Sequence, residues 1–467
     1  MLREKVKRFH FVGIGGIGMS GIAQILLEMN YDVSGSDIKD NKNTEMLRSK
    51  GARIHIGHRA ENVSEDTQVV VYSSAVREDN PELRRAKELG IPVIPRGEML
   101  AELFKLKEGI AVSGSHGKTT TTSMVAHILE EAGFDPTVII GGILQRLGSN
   151  AKLGRGDLLV SEADESDGSF LKLSPAVNVI TNIDLEHMDY YRDLEDIVAA
   201  FAKFAGSVPF YGFCVANADD PNVRNATSSV TKKLITFGIE KEADVVGTEL
   251  SIEGGRYAFG VVFKGERLGK IRLSIGGRHN VYNALAATAV SLELGVPFEV
   301  VRSALEGFHN AERRMELKGF FGGVPIYDDY GHHPTEIRAV VSALREMYPG
   351  RRLVMVFQPH RYSRTHFLFD SFVEVLKLPD LLLMLDIYPA SEKNIYGVDA
   401  RELALRSGAT FVEEKENVLS LLEENLREGD VLLFMGAGDI TRLCEDFVKA
   451  HSGALPEDLE HQSAKED

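Results

Sequence analysis

The stretch GIAVSGSHGKTTTTSMVAHILEEAG, residues 109–133, decides the fold. A short apolar strand (GIAVS) runs into a glycine turn and then into an amphipathic helix, the grammar of a phosphate loop at a strand-to-helix junction. Gly114, Ser115, His116, Gly117, Lys118, Thr119 and Thr120 make up the turn and the start of the helix. Two residues separate the glycines where the full P-loop has four, yet the mechanism survives. Amides after Gly114 can cradle an anion, Lys118 can reach terminal phosphates, and Thr119 can offer a hydroxyl to Mg2+. A purely structural turn is the competing reading, and Gly-Lys-Thr at such a junction argues against it.

Outward from this stretch, apolar runs such as FHFVGI, QVVVYSS, DLLVSE and NVITNI alternate with amphipathic segments along most of the 467 residues. That is βαβ grammar, so an α/β fold with parallel sheets flanked by helices is expected. Residues 245–275 break the rule, alternating with period two around Gly254, Gly255 and Gly265 as a small antiparallel sheet does. An insertion and a sheet edge both explain it. A second helical pattern opens near Asn280 and a fresh α/β series at Arg352. Three α/β units are expected, near 1–106, 107–312 and 313–456, followed by a polar tail at 457–467.

Composition bounds the function. With 43% apolar and 26% charged residues the chain is globular and not disordered. Lys plus Arg 53 against Asp plus Glu 69 give a net charge of -16, a field that repels nucleic acid and anionic membranes. Any anionic ligand must then be held by local cations. Cys214 and Cys444 are the only cysteines and lie in no metal-ligand spacing, which excludes a disulfide framework and a zinc site and fits a reducing cytosol. No apolar run approaches ~18 residues, so membrane insertion is not expected.

Several further segments carry chemistry. FHFV leads into Gly13-Ile14-Gly15-Gly16-Ile17-Gly18, a GxGxxG turn opening a helix, with Asp37 further on. On these residues alone a dinucleotide is indicated and NAD is the leading ligand, a tight structural turn being the alternative. Beyond the strand 157–161 come Glu162, Asp164, Glu165 and Asp167, either a solvated acidic loop or a site where one carboxylate faces Mg2+. Glu162, first beyond the strand, is the expected ligand. NVITNI ends in DLEHMD, residues 184–189, which makes His187 either structural or a second metal or phosphate ligand at a strand edge. Asn280 reads as an N-cap, or, with Asn283 on the same helix face, as a contact to an adenine edge. Arg313 and Arg314 are either solvated or hold phosphoryl oxygens. Asp328 to Pro334 (DDYGHHP) and Gln358 to Arg364 (QPHRYSR) follow apolar strands and are expensive as mere connectors.

In this order, GIGGIGMSG, SGSD, SSA, GSHGKTTT, EADESDGSF, NIDLEHMD, GRHNVYN, ERR, DDYGHHPTE, FQPHRYSRT, DIYPASE and MGAGDI resemble the Mur ligases of bacterial cell-wall synthesis, and within them the alanine-adding branch. The resemblance implies a Rossmann-like N-terminal domain for a UDP-sugar, a central P-loop-type ATPase domain and a Rossmann-like C-terminal domain that helps bind the amino acid. It replaces NAD by the UDP-sugar. It implies that Gly15, Gly18, Ser36, Asp37, His58, Ser73 and Ser74 surround UDP. Lys118 and Thr119 would bind ATP phosphates, and Asn280, Asn283, Arg314 and Asp329 the nucleotide and its γ-phosphate. Thr119, Glu162 and His187 would hold metal, two Mg2+ ions in all. His332, His360, Arg361 and Arg364 would face the reacting carboxylate and the incoming amine, with Lys118, His187, Arg314 and Arg361 as the catalytic set.

The implied reaction is ATP-dependent joining of L-alanine to the lactyl carboxylate of UDP-N-acetylmuramate through an acyl phosphate, in the cytoplasm, by a monomer or weak homodimer. A sister ligase that reattaches a recovered peptide, a nicotinamide oxidoreductase and a non-catalytic nucleotide sensor are the rivals. Two departures stand out: Ser115 occupies a position where the family more often has Thr, and the carbamylated lysine of several Mur ligases would fall near Phe201, with Lys203 the nearest amine. Because the expected site residues are split between units two and three, the segment around Arg313 and Arg314 is expected to act as a hinge.

Overall fold

Three sheets, each built by one stretch of chain, organise the computed structural model, which describes residues 5–144, 149–188, 190–253, 255–390 and 392–451, the side chains of 143 and 144 excepted. The polar tail at 457–467, Asp189 and the Gly254 turn position lie outside the described residues. Among the described residues no helix is long and apolar enough to cross a membrane.

The first sheet has five parallel strands in the spatial order Arg53–Ile56, Asp32–Asp37, Arg8–Val12, Val69–Tyr72, Val93–Pro95. Chain order reverses beside Arg8–Val12, so the GxGxxG turn and Ser73 stand at the switch point, where open α/β sheets leave a crevice for ligands. The helix Ile17–Glu28 buries Ile22, Ala23, Ile25 and Leu26 in a core shared with Ile139 and Ala151 of the next unit. Gly21 permits this approach, since a Cβ there would lie 3.1 Å from Asn150. Polar groups fix the angle: Gln24 Nε2 donates to the Ala151 carbonyl and Ser149 Oγ to Gln24 Oε1.

The central sheet has ten strands and is mixed. Its parallel centre, Phe213–Asn217, Val177–Ile180, Glu108–Ser113 and Leu158–Glu162, is almost wholly buried, as both faces are covered by helices. The period-two segment forms three antiparallel strands, Val245–Glu253, Arg256–Phe263 and Glu266–Arg272. They are not a separate sheet, because Phe237 and Gly238 pair in parallel with Val245 and Val246 and carry the central sheet onward to its edge. The helix Arg278–Glu293 is capped by Gly277 and not by Asn280, whose side chain turns back to the Gly276 carbonyl at 2.7 Å.

The third sheet has six strands in the order Glu316–Phe321, Val324–Asp329, Val431–Met435, Leu353–Phe357, Leu381–Met384, Thr410–Phe411, parallel except for the first. Asp329 and Gln358 stand at the C-terminal ends of its strands, turned toward the central unit through the segments that follow them.

Candidate active site

The phosphate loop links the strand Glu108–Ser113 to the helix Lys118–Glu131. Gly117 caps the helix at φ +82, and a Cβ there would lie 2.5 Å from Asn283 Oδ1, so neither backbone nor space admits another residue cheaply. The end of the neighbouring strand braces the turn. His116 N donates to Asn182 Oδ1 at 2.8 Å, while Thr181 Oγ1 and Asn182 Nδ2 donate to the His116 carbonyl. Ser115 Oγ accepts from Asp184 N at 2.8 Å. Lys118 Nζ bends back to the carbonyls of Gly114 and Ser115 and to Glu165 Oε1 at 2.8 Å. Burial pulls its pKa down, but Glu165, Glu186 and Asp164 together hold it above the ordinary lysine value.

Among the described residues three groups of donors could hold cations, one of them His116, Asp184 and His333. Glu162 accepts from Gly141 N at 2.7 Å and bonds Thr119, and burial raises its pKa against these contacts. Glu165, Glu186 and His187 bring ligand atoms within 4.8 Å of one another. Glu165 Oε2 is a buried oxygen with no hydrogen-bond partner, which suits a cation. The sequence singled out Glu162 and His187; it did not single out Glu165 and Glu186, although both lie in the acidic segments it noted. Phe201 is core, packed on Phe170, and Lys203 is exposed.

The C-terminal loops meet this cluster at Glu186. Arg364 Nη2 donates to Glu186 Oε1 at 3.1 Å, His332 Nε2 lies 3.9 Å from the same oxygen, and Arg364 Nη1 is 3.2 Å from His360 Nδ1. Burial first, then Arg364, lowers the pKa of His332 to about 4; burial, His332 and the arginines lower that of His360 to about 2, so both are neutral at pH 7. Arg361, at φ +71, lies 3.9 Å from Glu392. Glu186, His187, Met188, Arg361, Ser363 and Arg364 line a small pocket here.

A larger cavity of about 420 Å³ opens between the central and C-terminal units, with Gly117, Thr120, Asn280, Asn283, Arg314 and Asp329 in its wall. Arg314 Nη2 reaches Thr119 Oγ1 at 3.4 Å. Asp329 accepts from Gly331 N and Met315 N, and burial pushes its pKa up to about 6 despite Arg314. His116 stands between Asp184 and Glu336. Burial lowers its pKa, but these two carboxylates outweigh burial and carry it to about 10.

The remaining sequence-derived residues gather elsewhere, on the first sheet. Gly15 N donates to Asp37 Oδ2 at 2.9 Å, Gly18 lies against Arg96, and Ser73 packs under Gly13. Ser36 and His58 share a buried network with Glu82, which sequence reasoning missed; Ser74 is exposed, in the turn after the strand Val69–Tyr72, and takes no part in that network. Arg96 also pairs with Asp164 at 2.8 Å and joins this region to the acidic loop.

Comparison with known proteins matches three family models along the chain: the catalytic-domain model of the Mur ligase family at 8–108, the Mur ligase middle domain at 112–291, and the Mur ligase glutamate ligase domain at 313–438. The UDP-N-acetylmuramate–L-alanine ligase of Aquifex aeolicus is 65% identical, covering 96% of this chain and 99% of the relative. That of Persephonella marina is 53% identical over 97% and 100%. The solved UDP-N-acetylmuramate-alanine ligase of Thermotoga maritima superposes with a TM-score of 0.81 at 32% identity, over 98% of this chain and 100% of that one. With a phosphate loop and a carboxylate-histidine group of the central unit meeting an arginine loop of the C-terminal unit, and with relatives this similar over their full length, the chain belongs to the Mur ligase family.

Proposed function

We propose that this chain joins L-alanine to the lactyl carboxylate of UDP-N-acetylmuramate at the expense of ATP. The observation that carries the reading is the position of Glu186, whose carboxylate meets His187 on one side and Arg364 on the other, so that phosphoryl-transfer and amine-capture groups share one point. The relatives named for this reaction, identical at half to two-thirds of positions, favour L-alanine over a recovered peptide.

A carboxylate is a poor electrophile, so it must first be activated. A carboxylate oxygen attacks the γ-phosphorus of ATP, the bond to the β-phosphate oxygen breaks, and ADP leaves. The amine of L-alanine, having given up a proton, attacks the acyl carbon of the resulting acyl phosphate, and phosphate departs as the amide forms. Lys118 and Arg314 neutralise charge on the moving phosphoryl group. The Thr119 and Glu162 pair and the Glu165, Glu186 and His187 group fit Mg2+, which when bound adds Lewis-acid neutralisation of the same charge. Asn280, Asn283 and Asp329 contact the nucleotide in the large cavity, and Gly15, Gly18, Asp37 and Ser73 the UDP diphosphate and ribose. Arg361 and Arg364 orient carboxylates in the small pocket beside His332 and His360, whose neutral rings can accept an amine N–H.

The test is ADP release with every component present and with each omitted in turn, offering L-alanine, glycine, L-serine and a tripeptide. Release that needs UDP-N-acetylmuramate and is fastest with L-alanine supports the reading. Release with no amino acid, or fastest with the tripeptide, overturns it.

A further inference from the structure

Glu82, in the first turn of the helix Pro81–Glu88, is a fully buried carboxylate that the reaction does not use. Its Oε1 accepts from Asn62 Nδ2 at 2.5 Å and from Arg59 N at 3.1 Å. Its Oε2 accepts the Ser36 hydroxyl at 2.5 Å and lies 3.3 Å from His10 Nε2. Ser36 Oγ is in turn 2.9 Å from His58 Nδ1. Burial alone would raise the pKa of Glu82, but hydrogen bonds from His10, Ser36 and Asn62 hold it below the ordinary value, so the group is ionised.

The protons in this chain can be assigned from chemistry. A hydroxyl has one proton, and at 2.5 Å from an ionised carboxylate that proton must lie between the two oxygens. Ser36 Oγ then offers only lone pairs to His58, so His58 Nδ1 carries hydrogen, and in the neutral ring this leaves the lone pair on Nε2. The ring is 19% exposed and follows the strand Arg53–Ile56 at the sheet edge, where Gly57 N bonds the Asp37 carbonyl. Ile38, next to Asp37, is 71% exposed and gives that edge an apolar surface on which a flat base can rest.

We infer that Glu82 is a positioning residue for base selection: acting through Ser36, it holds His58 as a hydrogen-bond acceptor for the N3–H of uracil. Cytosine bears no hydrogen at N3 and opposes its own lone pair to that of the ring. The inference rests on the UDP-sugar reading of this unit and names what selects its base.

Calorimetry on the full chain with UDP and with CDP tests it, using the wild type, Glu82→Gln and Ser36→Ala. A glutamine amide can donate to Ser36, whose hydroxyl then donates to His58 Nδ1 and moves the ring proton to Nε2. The wild type is expected to prefer UDP by about tenfold, the scale of one buried hydrogen bond made or opposed. Both variants should narrow that ratio toward one, and the loss in turnover should fall on KM for UDP-N-acetylmuramate more than on kcat. Nitrogen-15 spectra of His58 should report an Nδ1-protonated ring in the wild type and a changed tautomer in Glu82→Gln. Ser36→Ala adds no buried polar group and serves if Glu82→Gln does not fold. If the wild type binds UDP and the ratio is the same in all proteins, Glu82 is only structural and the inference fails alone. If the wild type binds neither nucleotide, the UDP-sugar reading fails with it.

Discussion

Lys118 Nζ lies 2.8 Å from Glu165 Oε1, a contact between the phosphate-loop lysine and a carboxylate only 2% exposed. The loop sequence alone leads one to expect that Lys118→Ala removes activity and leaves folding intact. The pair changes the second half of that expectation. Without the lysine, the buried carboxylate keeps only His187, whose Nε2 lies 3.5 Å from the same oxygen, so the loss falls below the ~3–5 kcal/mol typical of a broken buried pair but is still substantial. Lys118→Ala should therefore lower kcat/KM by ~10²–10³ and also lower the unfolding midpoint. Adding Glu165→Gln should recover much of the stability and none of the activity. A Lys118→Ala protein that keeps more than about a tenth of kcat/KM, a loss under ~1.4 kcal/mol, would remove the lysine from phosphoryl transfer.

Gly15 has no room for a side chain. A Cβ there would lie 2.6 Å from Asn41 Nδ2, 2.9 Å from Asp37 Oδ2 and 3.0 Å from Thr44 Cγ2, all protein atoms beside the expected diphosphate. Crowding thus acts on the turn itself and displaces Asp37 whether or not a ligand is present. Gly15→Ala should raise KM for UDP-N-acetylmuramate by about tenfold or more and cost ~1–3 kcal/mol of stability, with ATP affinity unchanged. Calorimetry with each nucleotide separates the effects, and a fall in ATP affinity instead would break the assignment of this unit.

His116 makes stability depend on pH in a stated direction. Its folded pKa, about 10, lies above the ordinary 6.5, because Asp184 and Glu336 outweigh burial. The stabilisation is complete below 6.5 and is lost as pH rises through about 10. The difference in unfolding midpoint between wild type and His116→Gln should therefore shrink steadily from pH 6.5 towards 10. A difference that stays constant across that range would mean that His116 is not held as an imidazolium.

What the sequence disclosed, and what it hid, follows from the range of the interactions. The phosphate loop, the GxGxxG turn and the antiparallel segment at 245–275 are written in local terms, a glycine turn between strand and helix or a period of two, and the structure contains each of them. Glu82 is different. Its segment, NPELRRAKE, reads as an ordinary charged surface helix, and only the approach of Ser36 and Asn62 from distant segments buries it. Within the acidic run Glu162 is preferred only for standing first beyond the expected strand, and the turn after the strand Leu158–Glu162 sends it toward Gly141, and Glu165 beneath Lys118. Asn280 follows the N-cap preference of its residue type, but Gly277 takes that position and frees Asn280 to bond Asn283 in the cavity wall.

The central and C-terminal units touch through Met347 and Ala343, packed on Gly255, Gly276 and Gly277, and through polar contacts, and the polar ones bear on closure. Thr335 Oγ1 donates to Asp184 Oδ2 at 2.6 Å, Arg364 pairs with Glu186 at 3.1 Å, and His116 lies 3.5 Å from Glu336. Arg313 and Met315, both at positive φ, flank the link between the units, where a change of backbone angle relieves strain. Closure and catalysis are then coupled, since the contacts that bring Arg364 to Glu186 also complete the small pocket. Thr335→Val removes one such contact and keeps every residue assigned to ATP or UDP, although Thr335 itself stands in the wall of the large cavity. The variant, saturated with an ATP analogue and UDP-N-acetylmuramate, should show a larger radius of gyration by small-angle scattering than the wild type in the same state. KM for L-alanine should rise several-fold and by more than KM for ATP, because the proposed alanine pocket spans the units and its assembly costs entropy. Equal radii with an unchanged KM for L-alanine would mean that the two units are rigidly joined and that the link at Arg313 is not a hinge.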